Sequence, residues 1–536
     1  MAALPLIELF LGAEKQTLSV LRVERLETHY QVNGIPTAKL VMAMPGQTVG
    51  LLGKAQSDLS LCRAGVAAVV TLRDGVHSRD EVIFSGYVSR QHVNVSRHSM
   101  EFTLELRHGL QKLLNTHRSQ VFTNTTDAAI AYSLLTEQDI IPSSVEGMTT
   151  EYEQLVQFRS SDWHFLYSRL RANGVWLFPS PKSVRIAPPT LVSVADGVLS
   201  ASNEEDLRQM ESGQWAFSER HQPAAVNVSF WDDLTQTDKT QIGTATPLGT
   251  QAFDPANGLP LSSVPWTYSY STPLGTPAAT ALAGSLLTNL QSGYAEGAFI
   301  TAGTLDFTLG QTLALSGFGR ELDGKEVISG VHQYISRSTG WRTRLTLGEN
   351  ALLSDGPLVP GVGGLHIGVI STFESDSSQM NRFKVRVPVL GEACPALWAR
   401  FASPYASNQS GFCFYPQPGD EVVLGFFDSD PCYPIILGAM HSKINQAPVA
   451  PDAENQIKAL VVLNGDRRGQ LAFDAASQTV ELSAENDALS LGQGTTLSSE
   501  TQTRLEADDV TLDGGEVTIT GKETVVVTGA RIDLSQ

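Results

Sequence analysis

The C-terminal stretch TVELSAENDALSLGQGTTLSSETQTRLEADDVTLDGGEVTITGKETVVVTGARIDLSQ, residues 479–536, decides the fold. Apolar pairs recur along it: Val480/Leu482, Leu489/Leu491, Val510/Leu512, Val517/Ile519, Val525/Val527 and Ile532/Leu534, with Leu505 and a weaker rung near Leu497 between them. Two residues apart on a strand, both members of a pair point to one face. Successive rungs lie seven to nine residues apart, and Asp, Gly, Thr and Ser fill the gaps, as at Asp513-Gly514-Gly515. A repeat of very short strands is the pattern of a β-solenoid.

Each rung offers about two aliphatic side chains, worth roughly 1.5–3 kcal/mol each when buried. Ordering a residue costs on the order of 1.5 kcal/mol. The entropy therefore wins unless burial is shared, and thin strands leave unpaired edges. Several identical chains wound about one axis, aliphatic pairs inward, answer both problems. The alternatives are a single-chain β-helix and a flexible polar tail. Eight rungs at a strand spacing of about 4.8 Å span on the order of 40 Å. A narrow, polar-skinned rod of that kind is a mechanical part.

Outward from the rod, 536 residues suggest three to four domains. The formal charge of −19 argues against a basic nucleic-acid-binding surface. Residues 455–536 hold 13 acidic and 6 basic side chains, which keeps the rod soluble. Cys62, Cys394, Cys413 and Cys432 are too scattered for a disulfide framework and are expected as small buried hydrophobes. Met1 to Lys15 does not read as a signal peptide, and no apolar run is long enough for a membrane helix. The expectation is a protein made and assembled in the cytoplasm.

Residues 1 to about 110 alternate apolar and polar in short runs, the pattern of a β-barrel or strongly curved sheet. Thr126 to Gln138 turns helical, with Thr125 or Thr126 as cap. In LVQFRSSDWHFLYSRLRANGVWLF, residues 155–178, a strand leads to a Ser160 or Ser161 cap, and Asp162 stands in the first helical turn. Trp163, Phe165, Leu166 and Leu170 form the buried stripe, and Asn173-Gly174 ends the helix. Residues 222–300 read as an excursion with a helix near Thr276 to Leu290. Residues 303–350 read as four strands with turns at Leu309-Gly310, Asp323-Gly324 and Thr339-Gly340. Residues 354–364 are a linker. A small barrel of OB type follows, with strands at His366–Ile370, Phe383–Val389, Leu397–Phe401, Gly411–Tyr415, Glu421–Phe427 and Ile435–Gly438.

Gln157, Phe158, Ser161, Asp162, Trp163, Phe165, Arg169, Leu170 and Gly174 together resemble the strand–helix–strand of VgrG-type spike and baseplate hub proteins of contractile injection systems: type VI secretion, phage-tail-like particles and contractile phage tails. Gly317-Phe318-Gly319, His332, Gly340-Trp341 and Leu347-Gly348 continue the resemblance. The run FYPQPGDEVVLGFFDSDPCYPIILGAMHS carries it most specifically, through Pro416, Pro418, Gly419, Asp420, Glu421, Val422, Gly425, Phe426, Asp430, Pro431, Pro434, Ile436, Leu437 and Gly438. Asn381-Arg382 departs from the Gly-Arg that the family often has ahead of its Lys-Val-Arg strand.

The sequence carries no recognisable catalytic or metal-ligating constellation. His92/His98 and His108/His117 lack the spacing and partners of a metal site. Asp420-Glu421 and Asp428/Asp430 read as turn caps and a solvated face rather than glycosidic acid and base. No Gly-x-Ser-x-Gly elbow and no Walker loop are present. The OB face is expected to lack the paired aromatics and basic groove of an oligonucleotide site.

The resemblance implies a mainly β, non-enzymatic, cofactor-free and metal-free structural spike. Residues 1–357 form a hub of two barrel-like domains with a few helices and an insertion near 222–300. Residues 365–442 form the OB-fold barrel, and 455–536 an intertwined trimeric β-helix needle. Its core is Val480, Leu482, Leu489, Leu491, Val510, Leu512, Val517, Ile519, Val525 and Val527. Implied partners are two further copies in a homotrimer, a hexameric inner tube protein, baseplate proteins, effector cargo and a PAAR-type tip at Ile532, Asp533 and Leu534. No nucleic acid is implied, and a target membrane is met only by mechanical penetration. A tail-associated cell-wall hydrolase and a receptor-binding tail protein stand as alternatives.

Overall fold

The computed structural model describes residues 5–44, 52–73, 80–95, 100–202, 207–218, 222–244, 248–251, 264–319, 322–348, 359–484 and 496–533. It divides into two compact units, Met1–Asn445 and Gln446–Gln536. The chain is mainly β.

In the first unit, Leu6–Leu11 pairs with Ala67–Arg73, and the sheet continues through Asp80–Val95, Met100–Arg107, Thr37–Ala43 and Arg22–Gln31. Alternate residues turn inward, so Leu11, Leu26, Leu40, Leu72, Phe84 and Leu104 share one core. Arg22–Gln31 then pairs antiparallel with Gly324–Ser336, bringing Tyr30 opposite Val331. From there Thr312–Ser316, Gly197–Ser200, Arg208–Phe217, Ala295–Ala302 and Gly340–Leu347 follow, and the last returns to Gly324–Ser336. This second ring closes around Phe299, Leu313, Leu315 and Leu345.

The strand Glu151–Ser161 pairs with His117–Thr126 and bulges between Gln157 and Ser160. Ser161 caps the helix Asp162–Asn173 by accepting from His164 N at 3.1 Å, and Thr126 caps Asp127–Thr136 by accepting from Ala129 N at 3.3 Å. Gly174 ends the longer helix in the left-handed region, where a Cβ would also meet Ser285 Cα at 3.1 Å. The insertion has its own core, in which Val226, Val228 and Phe230 meet Ala279, Leu282, Ala283 and Leu286 of the helix Thr276–Ser292. The strands His366–Ile370, Phe383–Arg386, Leu397–Phe401, Pro434–Ala439 and Glu421–Phe426 close the OB barrel.

Four local expectations are corrected. Residues 303–311 form no strand: Thr304 O accepts from Gln333 Nε2 and Thr343 Oγ1, so side chains satisfy a backbone that a ladder otherwise would. The strand expected to reach Val389 stops at Arg386, because Pro388 opens a 3-10 turn. At Gly411–Tyr415 only Ser410–Gly411 pairs, in a hairpin with Ala406–Ser407. The described part of the linker is anchored, with Val359 and Val362 buried and Val362 N donating to Ser429 O.

In the second unit, Ile457–Asn464, Arg467–Asp474 and Thr479–Ser483 form an antiparallel sheet. Register places Leu460, Leu471 and Leu482 side by side, with Phe473 opposite Val480 on the same face. Residues 496–533 carry no strand pairing within the chain, and every one of them is exposed.

Candidate functional site

Three places combine the sequence motifs with unusual geometry: the joint between hub and OB barrel, the OB surface, and the terminal ladder. At the joint, Arg169 reaches Asp127 through Nε at 2.7 Å and Nη2 at 2.9 Å, and both side chains are buried. Tyr152 Oη accepts from Arg169 at 2.8 Å, and Asn173 Nδ2 donates to Asp127 at 2.7 Å. Burial pushes the Tyr152 phenol up to about 12. The pair is thus a fully bonded ionic knot, as a buried charge requires.

Beside it the hub grips the barrel. Gln154 Nε2 donates to Trp398 O at 3.1 Å and Cys432 O at 2.7 Å, while Trp398 N donates to Gln154 Oε1 at 2.8 Å. Val156 N meets Cys432 Sγ at 3.2 Å. Arg382 forks onto Glu153 at 2.6 and 3.0 Å and also holds Asp376. One apolar cluster runs from Leu134 and Phe165 through Cys432 to Val422 and Ile436. The insertion adds a further anchor, Asp428, whose carboxylate accepts from Thr272 N and Oγ1, both at 2.8 Å.

The OB motif residues are turn chemistry. Gly419 is left-handed at φ 94°, and Asp420 Oδ2 accepts from Gln417 N at 2.8 Å. Glu421 enters the strand opposite Val369, and Gly438 pairs with Val423. Two expectations fail here. Asp430, which follows Ser429 and precedes Pro431, is not on a solvated face. It is buried, accepts from Cys432 N at 2.8 Å, and its carboxyl is raised by burial. Paired aromatics also exist, since Phe383 lies 5.4 Å from Tyr415, 5.8 Å from Phe373 and 6.2 Å from Phe401. Their neighbouring cations are engaged, Arg382 as above and Lys384 over the Trp398 ring. Sequence reading missed the cluster because its rings come from four separate segments. Cys62 and Cys432 are buried, but Cys394 is half-buried and Cys413 exposed.

On the ladder, Val480, Leu482, Val510, Leu512, Val517, Ile519, Val525, Val527 and Ile532 are 51–68% exposed within the single chain. Asp533 pairs with Arg531 at 2.7 Å. Leu489, Leu491 and Leu534 lie outside the described residues. Among the described residues, no three His, Cys, Asp or Glu side chains converge on a metal position, and no helix is long and apolar enough to cross a membrane.

A family model described as the Alg8 N-terminal domain matches residues 10–337. The chain belongs to that family. A model described as the type VI secretion system/phage-baseplate injector OB domain matches residues 366–441. The type VI secretion system spike protein VgrG3 of Vibrio cholerae is 33% identical over 94 residues, 17% of this chain and 9% of that curated relative. In the half-lidded Francisella PdpA–VgrG complex, one chain superposes with a TM-score of 0.55 at 10% identity, covering 91% of this chain and 89% of its own. In the lidless PdpA–VgrG complex the values are 0.55 and 10%, covering 90% and 98%. The chain is thus similar to VgrG-type spike proteins in its OB domain and shares their overall fold.

Proposed function

We propose that three copies form the central spike of a contractile injection machine. The hub barrels present a ring to a hexameric inner tube. The OB barrels make a neck, and residues 455–536 wind into a needle that carries a tip protein at Ile532, Asp533 and Leu534. The work is mechanical rather than catalytic. The particle is assembled in the cytoplasm and driven outward on sheath contraction.

The observation that carries this reading is the exposed aliphatic ladder. Each of those side chains contributes about 1.5–3 kcal/mol only when something covers it, and the regular two-residue pairing suits a second and third copy of itself. The apolar sheet face at Leu460, Leu471 and Leu482 supports the same reading. So does the joint: axial load reaching the hub would pass to the barrel through Gln154, Arg382 and Asp428.

The test is genetic and visual. Particles made without this chain should lack a spike beneath the tube and fail to assemble or to inject. Complementation with the full chain should restore both, and normal particles in the chain's absence would end the proposal.

A further inference from the structure

The motif residues Gln157 and Asp162, with their neighbour Ser160, do more than shape the start of a helix. Four oxygen atoms at the bulge of Glu151–Ser161 are buried without a hydrogen-bond partner: Gln157 Oε1, Asp162 Oδ2, Ser160 Oγ and Gln120 Oε1. Gln157 and Asp162 are completely buried and Ser160 is 8% exposed. Strand register brings them together. Gln157 stands opposite Gln120, and Ser160 opposite Arg118, two residues along the same face. Gln157 Nε2 bridges Ser160 O at 3.0 Å and Asp162 Oδ1 at 2.9 Å, which fixes its own Oε1 as the free end of that amide.

Charge points the same way. Arg118 is the shared cation of two carboxylates, Asp162 Oδ1 at 2.9 Å and Glu137 Oε2 at 2.7 Å. One guanidinium against two carboxylates leaves one formal negative charge. Buried orphan acceptors are costly, about 1–3 kcal/mol each, and one cation held between the four would satisfy them together. Bulges turn side chains towards such sites. Amide, hydroxyl and carboxylate oxygens are hard donors, suited to a hard cation and not to a thiophilic metal. We propose that this pocket binds a monovalent metal cation, Na+ or K+, held by Asp162 Oδ2, Gln157 Oε1, Ser160 Oγ and Gln120 Oε1.

The probe is rubidium in crystals of the full protein, together with thermal unfolding at equal ionic strength in KCl, NaCl or choline chloride. The expected results are one anomalous peak per chain between these oxygens and a Tm rise of about 1–3 °C per tenfold increase in metal cation over choline. Asp162→Asn should abolish both. Because that variant could fail to fold, Ser160→Ala and Gln120→Leu provide the second arm. Removing an unpartnered oxygen is neutral or stabilising in choline, whereas in KCl each should lower Tm and flatten the cation response. No rubidium peak with equal Tm in all three salts means ordered water only, and overturns the proposal. So does a cation response unchanged in both Ser160→Ala and Gln120→Leu.

Discussion

Replacing Arg169 by Met tests whether the helix motif is structural. The guanidinium has 4% side-chain exposure and Asp127 none, so the carboxylate left behind cannot recover water. It keeps Asn173 Nδ2 and the Tyr152 hydroxyl as donors and loses both Arg169 nitrogens, while Tyr152 Oη loses the donor it accepts from. Removing one partner of a buried pair costs about 3–5 kcal/mol, near the top of the range for point substitutions. Replacing both partners with apolar groups of similar shape removes the stranded charge, so Arg169→Met combined with Asp127→Leu should recover at least half of that loss. Urea unfolding of the full protein, followed by tryptophan fluorescence beside the neighbouring Trp163, reads both numbers. A loss under about 1 kcal/mol for Arg169→Met, or a double variant no better than the single one, would refute this account of the knot.

Other outcomes follow from individual contacts. His108 is buried, its Nδ1 accepts from Leu110 N, and burial lowers its pKa to about 4. The unfolded chain therefore takes up a proton first. This contribution is fully present above about pH 6.5 and is lost as pH falls from there through about 4, costing on the order of 2–4 kcal/mol, and His108→Gln should remove that part of the acid slope in unfolding titrations. Asp428→Ala should raise amide exchange across Trp266–Tyr270, the insertion strand just before Thr272, while leaving the Arg22–Gln31 strand unchanged. Ile519→Asp should break up the assembly in native mass spectra, whereas Thr518→Asp, on the opposite strand face, should not. Asp420→Asn with Glu421→Gln should leave peptidoglycan turnover by the purified protein where it started, at background. Activity lost with these acids would favour a hydrolase.

Much of this was legible because period and punctuation act locally. The Ser161 cap, the stripe Trp163, Phe165, Leu166 and Leu170, and the Gly174 stop are fixed by residues a few positions apart. The OB turn at Gly419 and Asp420 was readable for the same reason. What escaped depends on distant segments. Thr304 gives up a strand because Gln333 and Thr343 reach its carbonyl. Asp430 looks like a surface turn acid until Cys432 and the hub strand cover it. The Phe383–Tyr415 cluster and the four orphan oxygens exist only after strands pair, and no spacing in the sequence marks either.

The most direct measurement is the native mass of the purified full chain. The account requires a species near three times 57.7 kDa, in which the aliphatics from Val510 to Ile532 are protected from exchange and proteolysis. A stable species of one chain mass with a folded C-terminus, or a trimer in which that segment stays fully open to exchange, contradicts it.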